Sequence, residues 1–140
     1  MGHHTLFDRL GGSAAITAVV DDFVARCAAD DRINQKFART DVARLKSMLV
    51  DQVTMASGGR ATYTGRSMAD THRGMGVTAG EFDALVGDLV ATLNQFNVPA
   101  AQQDELLGIL GPLRSDIVEV ESDATGTPLP SSYEVAPALV

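Results

Sequence analysis

Apolar residues in this chain recur at intervals of three and four over four long stretches, and nowhere do they alternate for long. Ile16, Val19, Val20, Phe23, Val24 and Cys27 mark one helical face. Val42, Leu45, Met48, Leu49, Val53 and Ala56 mark a second. The pattern returns at Phe82, Leu85, Val86, Leu89, Val90, Leu93 and Phe96, and again at Leu106, Leu110, Leu113, Ile117 and Val120. A half-buried strand needs a period of two, and no segment sustains it. The spacing therefore predicts an all-α domain with no sheet.

Punctuation residues divide that domain. Gly11-Gly12 closes a short opening helix, and Ser13 is a suitable N-cap for the next. An irregular stretch from Asp30 to Arg39 carries Ile33 and Phe37, after which Thr40 can cap the third helix. Gly58-Gly59 ends it. Arg60 to Val77 is glycine-rich and poorly periodic, with room for a short helix around Ser67 to Arg73. So long a connection in a compact domain is usually functional or held in place by something. Thr78 and Glu81 form a capping box for the next helix. Pro99 suits the first turn of the last helix, and Pro112 predicts a kink near residues 108–111. The expected domain spans residues 1–120. Residues 121–140, rich in Ser, Thr, Pro, Gly and Ala, are expected to form a disordered or loosely attached tail.

Composition excludes several classes of function. The net charge is −7, which argues against nucleic acid as the main partner, because phosphate binding needs a basic surface. No apolar run reaches the roughly 18 residues of a membrane span, and no basic region followed by an apolar stretch opens the chain as a signal peptide would. The single cysteine, Cys27, leaves no internal disulfide and suits a reducing cytoplasm. Chemical handles are few. With His3 and His4 at the terminus set aside, His72 is the one remaining histidine. A lone histidine is most often a plain surface or core residue.

The order of short motifs changes that balance. Leu6-Phe-Asp-Arg-Leu-Gly-Gly12, Val20-Asp-Asp-Phe23, Asp30-Asp-Arg-Ile33 with Phe37, Arg44-Leu-Lys46 and Gly58-Gly59 succeed one another along the chain. Tyr63-Thr-Gly65, Met68 with His72 four residues on, Gly74 with Gly76, and Leu106-Leu-Gly-Ile-Leu-Gly-Pro-Leu113 complete the series. Each is weak alone. The ordered set, from about Leu6 to Val118, resembles the group I truncated haemoglobins, of the haemoglobin N type.

The resemblance implies a two-over-two helical sandwich around one haem b (iron protoporphyrin IX), with His72 as the proximal iron ligand. It places Phe37, Leu45, Lys46, Tyr63, Met68, Val77, Phe82 and Leu85 around the haem, with Thr40, Arg44 and Arg66 also near the rim where the propionates lie. Elementary chemistry agrees, since a globin needs one neutral imidazole on a segment able to bring it to the iron.

On the distal side this sequence departs from the family. Val24 stands where a tyrosine commonly donates a hydrogen bond to dioxygen, and Leu49 matches the paired glutamine, with Leu45 one turn earlier. Met48, Gln52 and Val53 complete the distal set. A methionine at helix spacing is usually core filler, yet Met48 matches the position where some relatives supply a sixth iron ligand.

The main expectation is a globin that takes up dioxygen, carbon monoxide and nitric oxide in an unusually apolar pocket, with oxygen transport as the associated role. Oxidation of nitric oxide to nitrate, served by an unidentified reductase, is weakened by the missing donors. Two alternatives stay open: an electron-transfer haem protein with His72 and Met48 both on iron, and a gas sensor.

Overall fold

The computed structural model describes residues 5–37, 40–59 and 72–130. In chain order their helices are α1 (Leu6–Leu10), α2 (Gly12–Ala29), a 3-10 turn (Asn34–Phe37), α3 (Val42–Ala56), α4 (Ala79–Gln95) and α5 (Ala100–Leu110). A second 3-10 turn (Gly111–Leu113) and α6 (Arg114–Ile117) come after them. No strand occurs among the described residues; one isolated parallel bridge joins Thr78 to Val120. None of these helices is long and apolar enough to cross a membrane.

Helix starts are written in the side chains, though not always in the expected ones. The expected capping box is present: Glu81 N donates to Thr78 Oγ1 at 3.0 Å, and Thr78 N donates to a Glu81 carboxylate oxygen at 3.0 Å. Asp41, not Thr40, caps α3, accepting from Arg44 N at 3.2 Å. A carboxylate is the better acceptor there, because it also meets the positive end of the helix dipole. Ser13 does not cap α2. Gly11 ends α1 in the left-handed region and serves as the N-cap of α2, so the second helix begins one residue before Ser13. Pro99 is likewise the cap of α5, one step outside the first turn. Pro112 does more than kink the last helix. Lacking an N–H, it divides α5 from α6 through the 3-10 turn.

Packing follows the apolar stripes. Helix α2 lies against both α3 and α4, and α1 against α2 and α5. Leu6, Leu89, Leu93 and Leu106 bring α1, α4 and α5 together, with Val53 and Phe23 beside them. Ile16, Val20 and Val24 form a second cluster between α2 and α3. Cys27, Ile33 and Ala84 form a third, with Phe37 and Leu85 at its edge. A fourth, Met75 and Val77, lies against Ile117 and Leu129. Val53 packs against the first and second clusters and Phe23 against the first and third, so these three join into one interior, as is usual for a single domain.

Residues 121–130, expected from composition to be loosely attached, hydrogen-bond to the domain in this structure. Gly80 N donates to Ser122 O at 2.9 Å, and Thr127 N and Oγ1 donate to the buried Glu81 carboxylate at 2.8 and 2.7 Å. Lys36 Nζ donates to the Thr127 and Pro128 carbonyls, both at 3.1 Å. Buried polar partners hold this segment, so a composition poor in large apolar side chains does not free it. Residues 131–140 lie outside the described residues.

Candidate haem site

A small cavity of about 30 Å³ lies where α2, the first 3-10 turn and α3 meet. Phe23, Val24, Cys27 and Ala28 of α2 line it, with Phe37 of the turn and Val42, Leu45 and Leu49 of α3. The volume exceeds the roughly 10–15 Å³ that one water needs. Every lining side chain is apolar or a thiol. Helical spacing explains the convergence: Phe23, Val24 and Cys27 share one face of α2, as Val42, Leu45 and Leu49 share one face of α3.

Three of the six distal residues expected from sequence, Val24, Leu45 and Leu49, meet in this lining, and so does Phe37. Met48, Gln52 and Val53 lie outside it. Met48 and Gln52 are half-buried on α3, and Val53 packs between the two clusters beneath. Lys46, expected near the rim, pairs with Asp21 of α2 at 3.3 Å, and Arg44 pairs with Asp41 at 3.8 Å. Tyr63, Arg66 and Met68 lie outside the described residues.

His72 is half-buried at the end of a helical turn, and its carbonyl accepts from Met75 N at 3.1 Å. The chain then turns through Gly74 and Gly76, at φ +86° and +69°, before reaching α4. Those values favour glycine. Phe82 and Val77 are buried and Leu85 is half-buried. Val77 packs with Met75, Ile117 and Leu129, whereas Leu85 and Phe37 share the cluster around Cys27.

Phe23, Cys27, Ala28 and Val42 are lining residues that sequence reasoning missed. Cys27 is visible in the sequence as the last member of the α2 stripe, but its neighbours along the chain give no sign of a cavity. Burial pushes its thiol up to about 12, helped by the nearby Asp88 and Asp30 carboxylates. The thiol therefore stays protonated near neutral pH. Among the described residues no three His, Cys, Asp or Glu side chains converge. His72 is not among the residues that line the cavity. A lone imidazole suits an iron whose other ligands would come with a macrocycle.

These features are those of a haem globin, and comparison with known proteins agrees. The family model described as Bacterial-like globin matches residues 5–119. A group 1 truncated haemoglobin from Mycolicibacterium paratuberculosis is 35% identical over 118 residues, covering 84% of this chain and 87% of that protein. The Fe(III) form of truncated haemoglobin from Tetrahymena pyriformis superposes with a TM-score of 0.79 at 32% identity, over 82% of this chain and 98% of that one. The 2/2 haemoglobin from a Synechococcus strain, solved in the cyanomet state with covalently attached haem, gives 0.78 at 36% identity, with the same coverage. The chain belongs to the bacterial-like globins and, within them, to the group 1 truncated haemoglobins. Its helices form the two-over-two globin sandwich, and haem-based binding of diatomic gases comes with that membership.

Proposed function

We propose that this globin carries haem b, with His72 on the iron, and takes up dioxygen, carbon monoxide and nitric oxide against an apolar distal wall of Val24, Leu45 and Leu49. The observation that carries the reading is the small apolar cavity those three side chains line with Phe37. When bound, the haem supplies an iron with an open coordination position. This chain's residues do the rest. His72 would fix the iron from the proximal side, while Phe37, Phe82 and Leu85 would cover porphyrin surface. The apolar lining excludes water and leaves room for a small, weakly polar ligand. Lys46 and Tyr63 would meet the propionates at the rim; for Lys46 this means sharing its ammonium with Asp21. The single buried cysteine suits a reducing cytoplasm, which we take as the compartment.

The test is the visible spectrum of the ferrous protein with and without carbon monoxide, for the parent and for His72→Ala. A five-coordinate high-spin spectrum that shifts on adding carbon monoxide is expected for the parent. The variant should lose stoichiometric haem, or hold haem that needs added imidazole. A low-spin ferrous spectrum without carbon monoxide would replace this reading with ligation by both His72 and Met48.

A further inference from the structure

The segment after His72 is held by a residue far along the chain. Gly74 N donates to the two carboxylate oxygens of Glu119 at 3.1 and 3.0 Å, and Gly76 N donates to Oε1 at 2.8 Å. Positive φ at both glycines turns their amides toward the same point, a concave pair of donors suited to an anion. The backbone of Glu119 completes the clasp, its N–H donating to Val77 O at 2.9 Å. Charge-assisted bonds to two amides, two and four residues beyond His72, fix the turn that carries the histidine.

Residues 120–130 anchor Glu119 in turn. Val120 N also donates to Val77 O, at 3.2 Å, and Val120 O accepts from Ala79 N at 3.0 Å. Residues 122–128 then run past the start of α4 to the buried Lys36–Glu81 pair, and Leu129 returns to pack on Met75 and Val77. Gly80 permits this path, since a Cβ there would strike the Asp123 carbonyl. The strap therefore ties the proximal turn to the 3-10 turn that carries Phe37.

We propose that Glu119 is a positioning residue for the proximal histidine: its carboxylate, held in place by the strap of residues 120–130, sets how His72 meets the iron. The proposal rests on His72 being that ligand. It goes beyond that reading in assigning control of the iron–histidine bond to a carboxylate that touches neither iron nor gas.

The experiment uses full-length ferrous holoprotein and resonance Raman spectroscopy of the iron–histidine stretching band. The variants are Glu119→Ala, Glu119→Gln, Glu121→Ala and His72→Gly with added imidazole. Amide hydrogen exchange at Gly74 and Gly76 is followed alongside. Glu119→Ala should shift the band and speed exchange at both glycines by roughly threefold to tenfold, the scale of one lost hydrogen bond. Glu119→Gln keeps one carbonyl acceptor and should fall between Glu119→Ala and the parent. Glu121→Ala, which breaks only the exposed pair with Arg114, should leave band and exchange unchanged. An unmoved band in Glu119→Ala, with a band lost in His72→Gly until imidazole is added, overturns the role of Glu119 and leaves His72 standing. A parent-like band in His72→Gly without imidazole overturns both.

Discussion

Lys36 Nζ lies 3.7 Å from Glu81 Oε1, and both side chains are almost withdrawn from solvent, at 5% and 1% exposure. The pair joins the 3-10 turn to the first turn of α4. Each charge finds further partners: Lys36 reaches the carbonyls of residues 127 and 128, and Glu81 takes two bonds from Thr127 and one from the Thr78 amide. A buried pair of this kind is weak evidence of net stability, but loss of one member strands the other charge. Lys36→Met should destabilise the protein by about 3–5 kcal/mol in urea unfolding. Lys36→Met combined with Glu81→Leu should recover part of that loss, offset by the missing cap. Equal stability of Lys36→Met and the parent would mean that the charges are not desolvated as described.

A half-buried carboxylate, Asp88, titrates in an accessible range. Asp88 of α4 faces Asp30 at the end of α2, with Arg32 at 2.8 Å from Asp30 and 3.7 Å from Asp88. Burial, and then the neighbouring Asp30, push the Asp88 carboxyl up to about 6, against a smaller opposing pull from Arg32 and Arg26. One of its oxygens is buried without a hydrogen-bond partner. Asp30 shifts the other way, held well below the usual carboxylate range chiefly by its hydrogen bond from Arg32. Between the ordinary carboxylate value and about 6, the folded protein holds a proton on Asp88 that the unfolded chain has lost. The Asp88 contribution to stability therefore falls as pH rises through that window and is flat above it. Asp88→Asn should be more stable than the parent at pH 7, by about 1–3 kcal/mol. The gain should shrink toward pH 4. Unfolding curves at pH 4, 5, 6 and 7 check this, and a constant difference between the two proteins would refute it.

The proposed haem leads to a further expectation. A porphyrin seated against the apolar lining of Val24, Phe37, Leu45 and Leu49 would bury that surface, so haem should stabilise the folded state strongly. A ligand present at a thousand times its Kd contributes about 4 kcal/mol if it binds only the native protein. That corresponds to roughly 10 °C in Tm for a chain of this size. Calorimetry of the apoprotein and holoprotein, with amide exchange across residues 72–77, measures it. Equal melting temperatures and equal protection would show that the fold does not depend on the cofactor.

The apolar stripes revealed the helices because burial selects residue type at fixed spacing, and α2, α3 and α4 follow those stripes closely. Cap positions were less legible. Thr40 and Asp41 are both good caps by type, and the choice between them depends on where the chain leaves the preceding turn. The path of residues 119–130 could not be read. Its hold on the domain is backbone hydrogen bonding and two buried charges contributed by Lys36 and Glu81, and none of these leaves an apolar pattern in the strap itself. Val24 and Leu49 were legible as distal positions only through resemblance to a family. Cys27 entered the cavity lining because the cross-over of α2 and α3 sets which turn of each helix faces the other, and sequence spacing does not encode a crossing point.

An apolar distal wall should hold dioxygen loosely. Dioxygen draws negative charge when it coordinates ferrous iron, so a nearby donor is worth about 1.5–3 kcal/mol when treated as a hydrogen bond to a charged group. Val24, Leu45 and Leu49 offer no donor from the cavity lining. At about 1.4 kcal/mol per factor of ten, release should be faster by roughly one to two decades than with a donor present. Carbon monoxide stays nearly apolar and should be affected much less. Val24→Tyr places a hydroxyl on the face of α2 that borders the cavity, and should slow dioxygen release while leaving carbon monoxide release close to the parent. Gln52 is the competing donor. It is half-buried on α3, one turn beyond Leu49, outside the lining and already engaged by another group. Gln52→Ala should therefore release dioxygen at the parent's rate. Stopped-flow displacement of dioxygen by carbon monoxide, run on the parent and both variants, gives all three rates. Slow release in the parent that turns fast in Gln52→Ala would show that Gln52 swings into the cavity on ligand binding, and the apolar reading of the distal side would then be wrong.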